Sequence, residues 1–273
     1  MRSFIKSLVL SFAVCLLVSM PAFAVSYNVS PADFLTPGTA FTYDPDAPAP
    51  TTAAGAPTGY GTDSLYANVN QSGPAADHYR TLRILVPQLF NKTVALSDIA
   101  SISYMTNKPV GQDKLDWRMA IYTFPTADTA NNGAGWYRSR LQARPDQATN
   151  LNAPANQWNQ WTTGGSANQL SFYEDTSKRS LNSMTWAGIT GGTTTWDYSD
   201  ENIKYIDLAL GTGSSSPASW WTGESRLDGV IITLKDGTTA NINLGTVPEP
   251  LTMIALFGGI TAVGGYIRRR AKA

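Results

Sequence analysis

GVIITL at Gly229–Leu234, KDG at Lys235–Gly237 and TANINL at Thr239–Leu244 form the stretch that predicts the fold of this chain most directly. The flanking runs are rich in β-branched residues or alternate between apolar and polar residues, as strands do. The Asp-Gly pair between them is typical of the tight turn of a β-hairpin. The stretch therefore predicts a hairpin near the end of the folded part of the chain.

Short runs of the same kind recur upstream; the run at 136–141 follows a Gly-rich turn, and the others end at Pro, Gly, Asn or an acidic pair. The runs are 82–86, 99–105, 117–124, 136–141, 170–173 and 203–210. Only residues 96–101 could instead form a short helical turn. Many short strands separated by turn signals predict an all-β fold, arranged as one β-sandwich or jelly roll. The run Leu227-Asp-Gly-Val-Ile-Ile also resembles the last strand of many jelly-roll carbohydrate-binding and lectin-like domains.

Composition divides the region between the two chain ends into two parts. Residues 25–77 are rich in Pro, Gly, Ala, Thr and Asp, and Asp44–Pro57 is predicted as loop or extended linker. Residues 78–246 carry the strand pattern, and we expect both parts to form a single domain. Cys15 is the only cysteine and lies in an apolar N-terminal segment, so the domain is predicted to fold without disulfides.

The N-terminus has the three parts of a secretory signal peptide. Arg2 and Lys6 supply the positive start, and residues 8–18 form the apolar segment. Ala22 and Ala24 bracket Phe23 as a small-x-small cleavage site. We therefore expect residues 1–24 to direct the chain into a Sec-type export pathway and to be cleaved after Ala24.

The C-terminus combines a break, an apolar span and a basic cluster. Pro248, Glu249 and Pro250 interrupt regular structure because proline lacks a backbone N–H and biases the preceding residue towards extended conformations. Residues 251–267 carry no Asp, Glu, Lys or Arg and are just long enough for a short transmembrane helix. Arg268, Arg269 and Arg270 follow, and the positive-inside rule places them in the cytoplasm with the domain on the other side.

This order of motifs in residues 247–273 resembles the PEP-CTERM sorting signal. The resemblance implies an exported protein of a Gram-negative bacterium that makes extracellular polysaccharide. It further implies recognition by a membrane-embedded exosortase, transient anchoring in the inner membrane, and processing near Pro248, Glu249 and Pro250 before release to the cell surface or extracellular matrix. The alternative is an ordinary single-pass anchor with a proline-rich juxtamembrane turn.

Charge excludes one class of partner. Six of the 20 basic residues and one of the 20 acidic residues belong to the two end segments, which leaves 14 basic and 19 acidic residues in the exported part. A net charge of about −5 does not suit a nucleic-acid-binding surface, which requires a basic face.

Catalytic and metal motifs are sparse. His78 is the only histidine, and the chain has no Gly-x-Ser-x-Gly motif. Zinc needs several His or Cys ligands, so none is expected. Glycoside hydrolysis needs two carboxylates in one cleft. The only glutamates of the core are Glu174, Glu201 and Glu224. The acidic residues near strand ends are predicted as solvated loop residues. No cofactor is expected; calcium stays open, and its candidate ligands are Asp44, Asp46, Asp197 and Asp200.

Tryptophan supplies the candidate binding residues. Trp158, Trp161, Trp220 and Trp221 lie in polar, Asn- and Gly-rich surroundings, where aromatic faces could stack on sugar rings. The alternative is that these rings fill the core of a domain without disulfides.

Two functional classes remain open. The first is a non-catalytic cell-surface or matrix protein that binds exopolysaccharide. The second is a secreted polysaccharide-active enzyme, a lyase or glycosidase, on a jelly-roll scaffold. A cleft with two or more carboxylates beside Arg or Tyr would favour the enzyme, whereas an aromatic surface without such acids would favour binding.

Overall fold

The computed structural model describes residues 24–36, 38–70, 72–74, 77–109, 116–124, 140–150, 152–174, 183–194, 197–211 and 223–245. The predicted signal peptide up to residue 23, the predicted sorting signal at 247–273, and Trp220 and Trp221 lie outside these residues. Among the described residues, no helix is long and apolar enough to cross a membrane.

The fold is all-β, as predicted. Its strands are β1 Ala24–Val29, β2 Phe41–Thr42, β3 Thr51–Ala54, β4 Asp63–Val69, β5 Tyr79–Ile84, β6 Ile99–Asn107, β7 Arg118–Thr123, β8 Arg140–Ala143, β9 Asn159–Thr162, β10 Phe172–Glu174, β11 Ile203–Gly211, β12 Gly223–Leu234 and β13 Thr239–Leu244. Its helices are α1 Val86–Phe90 and α2 Trp186–Thr190, with 3₁₀ turns at Asp33–Leu35, Leu96–Asp98 and Pro145–Gln147.

The strands form two sheets. In the seven-stranded sheet, β1, β13, β12, β4 and β3 follow one another, and β6 pairs with both β12 and β9. The six-stranded sheet has the order β10-β8-β7-β11-β5-β2. Every pairing is antiparallel except that of β1 with β13, where Ala24 lies opposite Thr239 and Val29 opposite Leu244. The first strand of the described chain therefore lies beside its last.

The predicted hairpin is confirmed. Strands β12 and β13 pair antiparallel with Ile232 opposite Ala240, and the turn contains Gly237 at a φ of 88°. Upstream, the backbone amides of Gly229 and Leu244 both donate to Asp228 Oδ1. Gly229 has a φ of 58°, and a Cβ at this position would lie 3.0 Å from the Tyr60 ring. Asp228 and Gly229 thus form an irregularity in β12, since its register against β6 shifts between Asp228 and Ile231.

Local breaks explain where the predicted strands differ. The strand predicted at 82–86 ends at Ile84, because helix α1 begins at Val86. Pro87 lies in the first turn of this helix, where a missing backbone N–H is tolerated. Residues 96–101 combine a 3₁₀ turn with the start of β6. Part of Asp44–Pro57, predicted as loop, forms strand β3 by pairing with β4.

Both sheets contribute to one hydrophobic core. The six-stranded sheet supplies Leu82, Ile121, Leu141 and Leu208, while the seven-stranded sheet supplies Ile102, Leu227, Ile232 and Ile242. The region predicted as loop-rich, 25–77, also contributes, through Val29, Phe34, Phe41 and Leu65. Burial of these side chains supplies the main stabilisation of a fold whose described residues include no cysteine.

Candidate functional site

The sequence pointed to tryptophans, and the structure removes Trp161 from that set. Trp161 lies in β9 and is fully buried. Its indole Nε1 donates to Thr106 Oγ1 over 2.7 Å. A sugar ring cannot reach its faces, so the expectation that Trp161 binds glycan is wrong, and the core alternative holds for this residue. Trp158 comes just before β9 and is half-buried.

Trp161 belongs to a buried polar network, which we call the Asp116 network and define as Asp116, Thr106, Trp161 and Ser225. The carboxylate of Asp116 accepts from Thr106 Oγ1 over 2.7 Å, from Ser225 Oγ over 3.0 Å and from the backbone amide of Trp117 over 2.8 Å. Burial raises the pKa of Asp116, and these hydrogen bonds oppose that rise. The network ties β6, β9 and β12 to the start of β7, and its four members are buried.

The predicted catalytic candidates lie apart. Ring nitrogen Nε2 of His78 is 3.0 Å from the carbonyl oxygen of Gly73. Glu201 is fully buried and accepts a hydrogen bond from the Thr123 hydroxyl, so the expectation of a solvated loop acid is wrong for it. Glu224 in β12 instead accepts from the Tyr66 hydroxyl over 2.5 Å. Glu174 ends β10.

Calcium candidates do not converge either. In the described part of the chain, no group of three or more His, Cys, Asp or Glu residues could hold a metal ion. Asp44 instead pairs with Arg83 at 3.4 Å, and Asp197 accepts from the backbone and hydroxyl of Ser199.

A different cluster emerges on the six-stranded sheet. Successive side chains of a strand point to opposite faces, so each strand of this sheet presents one set to the core and the other set to the far face. The core set includes Met119, Ile121, Leu141, Ile206 and Leu208. The pairing registers place the intervening residues together on the far face: Arg83, Arg118, Tyr122, Arg140, Gln142, Tyr173, Tyr205 and Asp207.

Four of these side chains stack across four adjacent strands, and we call them the arginine–tyrosine ladder: Arg83, Tyr205, Tyr122 and Arg140. The guanidinium carbon of Arg83 lies 4.2 Å from the centroid of the Tyr205 ring. The rings of Tyr205 and Tyr122 follow with centroids 4.4 Å apart. Arg140 closes the series at 5.6 Å from the Tyr122 centroid, and its Nη1 donates to the Tyr122 hydroxyl over 3.1 Å.

A paired carboxylate orients the first guanidinium of the ladder. Arg83 donates from Nε and Nη2 to the two oxygens of Asp207, each over 2.8 Å. This fork-like geometry is the strongest form of an arginine–carboxylate pair. Burial raises the pKa of Asp207, while the hydrogen bonds and charge of Arg83 lower it. Asp44 approaches the same guanidinium from the loop after β2. These contacts hold Arg83 over the Tyr205 ring.

The β7–β8 side of the face carries further polar groups. The Tyr173 hydroxyl donates to Gln142 Oε1 over 2.8 Å. Arg118 Nη1 donates to the carbonyl oxygen of Gly211. Arg144 forms a two-point pair with Asp146, at 3.0 and 2.6 Å. Burial lowers the pKa of Arg118, and the nearby positive charges of Arg140 and Arg144 lower it further.

The chemistry of this face suits recognition. Burial raises the pKa of both Tyr79 and Tyr205 to about 12. Both phenols therefore stay protonated at neutral pH and act as hydrogen-bonding groups rather than as bases. Arg83, Arg140, Tyr173 and Tyr205 are half-buried, whereas Asp207 and Tyr122 are only 4% and 6% exposed. The face thus offers aromatic rings and guanidinium groups on a rigid, buried support.

Sequence reasoning missed the ladder, although part of its signal was present. In the predicted strand at 117–124, Arg118 and Tyr122 alternate with apolar residues. In the predicted strand at 203–210, Tyr205 and Asp207 alternate with apolar residues in the same way. Polar residues at every second position mark the far face of each strand. The strand order that brings them together is not encoded in any one run.

Comparison of the chain with protein-family models, with curated proteins and with solved structures returned no match.

Proposed function

We propose that this chain is an exported, non-catalytic cell-surface or matrix protein that binds extracellular polysaccharide through the far face of its six-stranded sheet. The observation that carries the proposal is the arginine–tyrosine ladder, in which two tyrosine rings and two guanidinium groups form one stacked row. Each ring lies between two other members of the row, so a sugar would contact the outward edges of the rings and the guanidinium groups. Neighbouring Tyr173, which is half-buried, can exchange hydrogen bonds with sugar hydroxyls.

The proposed scaffold is a β-sandwich of jelly-roll type. The grouping of the strands into two mainly antiparallel sheets, with side chains from both in one core cluster, supports this architecture. In such an arrangement the far face of each sheet looks away from the partner sheet. The ladder then lies on one outer face of the domain.

The proposed route to the cell surface rests on the two chain ends. The resemblance of residues 247–273 to the PEP-CTERM signal supports processing by an exosortase, with Pro248, Glu249 and Pro250 as the recognition element and Arg268, Arg269 and Arg270 as the cytoplasmic stop. Strand β1 begins at Ala24, so cleavage after this residue would leave the rest of the strand in the mature chain. Strand β13 ends at Leu244, just upstream of the motif.

Processing can be tested directly in a host that carries an exosortase. We expect N-terminal sequencing of the exported protein to begin at Val25, and replacement of Arg268, Arg269 and Arg270 by Ala to leave the protein unprocessed in the membrane. Normal maturation of the Ala variant would favour the ordinary-anchor alternative. A chain that still begins at Met1 would contradict the proposed export signal.

A polysaccharide-active enzyme stays as the second candidate, and one observation favours it. The carboxylates of Asp44 and Asp207 meet at Arg83, beside Tyr205. Against catalysis, both acids contact the same guanidinium, and the raised pKa of Tyr205 keeps its phenol protonated at neutral pH, so that it is not available as a general base. Release of new reducing ends or of unsaturated sugars from a polysaccharide would establish the enzyme.

Binding can be tested with the full chain on immobilised polysaccharides, both neutral and acidic. We expect Tyr205→Ala to reduce retention about two- to tenfold, since loss of one aromatic contact costs about 0.5–1.5 kcal/mol. Tyr66→Ala is a matched control, because Tyr66 also lies beneath an arginine, Arg226, but in the seven-stranded sheet. Equal loss in both variants, or full retention by Tyr205→Ala, would contradict the proposed face.

A further inference from the structure

Strand β1 forms an unprotected edge of the seven-stranded sheet. In the described part of the chain it pairs with β13 alone, through six consecutive partners without a register shift. Its residues include no charged side chain and no proline, and Ala24, Val25, Ser26 and Asn28 are exposed. An edge strand directs the N–H and C=O groups of every second residue away from its neighbour. Strand β1 therefore offers a row of backbone groups with which another strand can pair.

The other edges of the two described sheets are shorter or partly covered. Strands β2 and β10 have only two and three residues. Strand β3 has four, and Arg226 Nη1 donates to the carbonyl oxygen of Ala53 over 3.1 Å. Beyond β9, Thr162 pairs with Gln169, and its carbonyl oxygen accepts from the backbone amide of Leu170. Natural proteins shorten, charge or cover the edges that must stay unpaired. Strand β1 is treated differently, which favours a strand partner for it.

The side chains of β1 anchor the strand in its own sheet and leave its edge accessible. The Tyr27 hydroxyl donates to the carbonyl oxygen of Leu89 over 2.8 Å, and Val29 is only 1% exposed. Val25 lies on the same side of the strand as these two residues, because side chains alternate. It is nevertheless 46% exposed, one of two large exposed apolar residues in the described part of the chain. A partner strand would cover it.

The chemistry of this edge suits a second copy of the same chain. Two copies of β1 can pair antiparallel about a two-fold axis, because neither strand brings a charge opposite a like charge. With the axis near Tyr27, the start of each strand lies beside the end of the other. Cleavage after Ala24, as proposed above, gives Val25 a positive α-amino group. Just after the other end of the strand, Asp33 Oδ2 accepts from the amide and hydroxyl of Ser30 over 2.6 and 2.9 Å. Unlike charges would therefore approach each other at both ends of the pair.

We propose that β1 is a self-association surface, through which two copies of the exported chain join their seven-stranded sheets edge to edge. Ser26 then lies opposite Asn28 of the second copy. Contact through one edge strand is small, so the association should be weak and should matter where copies are concentrated, as at a membrane or in a matrix. Only the contact of the α-amino group with Asp33 rests on the proposed cleavage, and the pairing of the edges does not rest on glycan binding.

Disulfide formation between copies tests the pairing with the full chain in an exporting host. Full chains with Ser26→Cys and with Asn28→Cys are expressed together, because residues opposite each other in an antiparallel pair are close enough for a disulfide. We expect oxidation to link these chains into dimers. The parent chain, whose Cys15 lies in the predicted signal peptide, should give none. The matched control is the pair Thr51→Cys and Ala53→Cys on β3, the opposite edge of the same sheet, which should also give none.

Charge variants measure the strength of the association by sedimentation of the exported protein at low salt. Replacement of both Ser26 and Asn28 by Lys should weaken self-association about tenfold, because it places two pairs of like charges opposite each other. A mixture of this variant with the variant that carries Glu at both positions should recover the association, which a purely structural defect would not allow. Lysines at Thr51 and Ala53 should leave the association unchanged.

The outcomes separate this inference from the proposed export route. No linked dimers from the β1 cysteines, or as many from the β3 cysteines, would overturn β1 as the association surface. Association that persists when both β1 positions carry Lys would do the same. The size of the linked chains shows independently whether they have been processed. Linked dimers of uncleaved chains would contradict the proposed cleavage after Ala24, and with it the contact to Asp33, but would leave the pairing of the edges in place.

Discussion

The Asp116 network and the arginine–tyrosine ladder use similar side chains in different surroundings. In the network, all four members are at most 3% exposed, and the carboxylate accepts hydrogen bonds from two strands and from the residue that follows it. In the ladder, the rings and guanidinium groups of Tyr205, Arg83 and Arg140 are only half-buried. Burial thus distinguishes a polar cluster that stabilises the fold from one whose outer groups can contact a ligand.

The largest expected effect comes from the buried side of this comparison. Trp161→Ala should lower the free energy of unfolding by about 3–5 kcal/mol, because it creates a large cavity and leaves the Thr106 hydroxyl without its donor. Denaturant unfolding measures the loss. Trp158→Ala, at a half-buried position in the same segment, is the control and should cost much less. Equal costs would contradict the assignment of Trp161 to the core.

The second prediction concerns a different buried acid, Asp228. Its pKa is raised from the usual 3.8 to about 6, mainly by burial, so protonation favours the folded state. The free energy of unfolding should therefore fall as pH rises from about 4 to about 6, by up to about 3 kcal/mol from this group, and stay lower above that range. Thermal unfolding across pH measures the slope.

Asp228→Asn separates this group from other acids. The amide keeps an oxygen for the backbone N–H groups of Gly229 and Leu244 but does not titrate. The variant should be more stable than the parent at neutral pH, and its free energy of unfolding should fall less between pH 4 and pH 6. An unchanged pH profile would show that Asp228 titrates near its usual value.

Asp116→Ala tests the Asp116 network itself. Removal of the carboxylate leaves the Thr106 hydroxyl and the Trp117 amide without their acceptor in the core, whereas Ser225 keeps the carbonyl oxygen of Asn107 as an acceptor. The change should cost about 1–3 kcal/mol of stability. Retention on polysaccharide should not change while the chain remains folded. If Asp116→Ala lost retention on polysaccharide without losing stability, the Asp116 network would also take part in binding, which would contradict this prediction.

The smallest expected effect is that of Tyr122→Phe in the ladder. The ring and its stacking on Tyr205 remain, and only the hydroxyl that accepts from Arg140 is lost. We expect a stability change of about 0.5–1.5 kcal/mol and a modest loss of retention on polysaccharide. Chemical unfolding and retention on immobilised polysaccharide should be measured together. A loss of retention as large as that of Tyr205→Ala would mean that the Tyr122 hydroxyl itself contacts the ligand.

Much of the fold followed from local sequence. The alternation in 99–105 and 117–124 predicted strands, and the Asp-Gly pair at Asp236–Gly237 predicted the hairpin turn, because side-chain period and turn conformation depend on a few adjacent residues. The weakest predictions fell on the proline-rich region. Strand β3 forms there because β4 supplies its hydrogen-bonding partner, which the composition of the segment does not reveal.

The candidate site followed from the sequence much less. Trp158 and Trp161 have similar neighbours, yet only Trp161 is fully buried, because β9 pairs with β6 and turns this ring into the core. Arg83 and Asp207 lie 124 positions apart and meet only because β5 and β11 are neighbours in the sheet. Neither the burial of Trp161 nor the contact between Arg83 and Asp207 can be predicted from the residues that are adjacent in the sequence.

By itself, the sequence determined that the chain forms short strands and that β12 and β13 make a hairpin, and it also carries the two terminal signals from which export is proposed. Tertiary structure alone decided the strand order, the burial of Trp161 and Glu201, and the meeting of Arg83, Tyr205, Tyr122 and Arg140 on one face. The physical reason is that the two kinds of interaction act over different distances along the chain. Backbone alternation and turn preferences act between neighbours in the chain, whereas burial and stacking depend on which strands pair across the sheet.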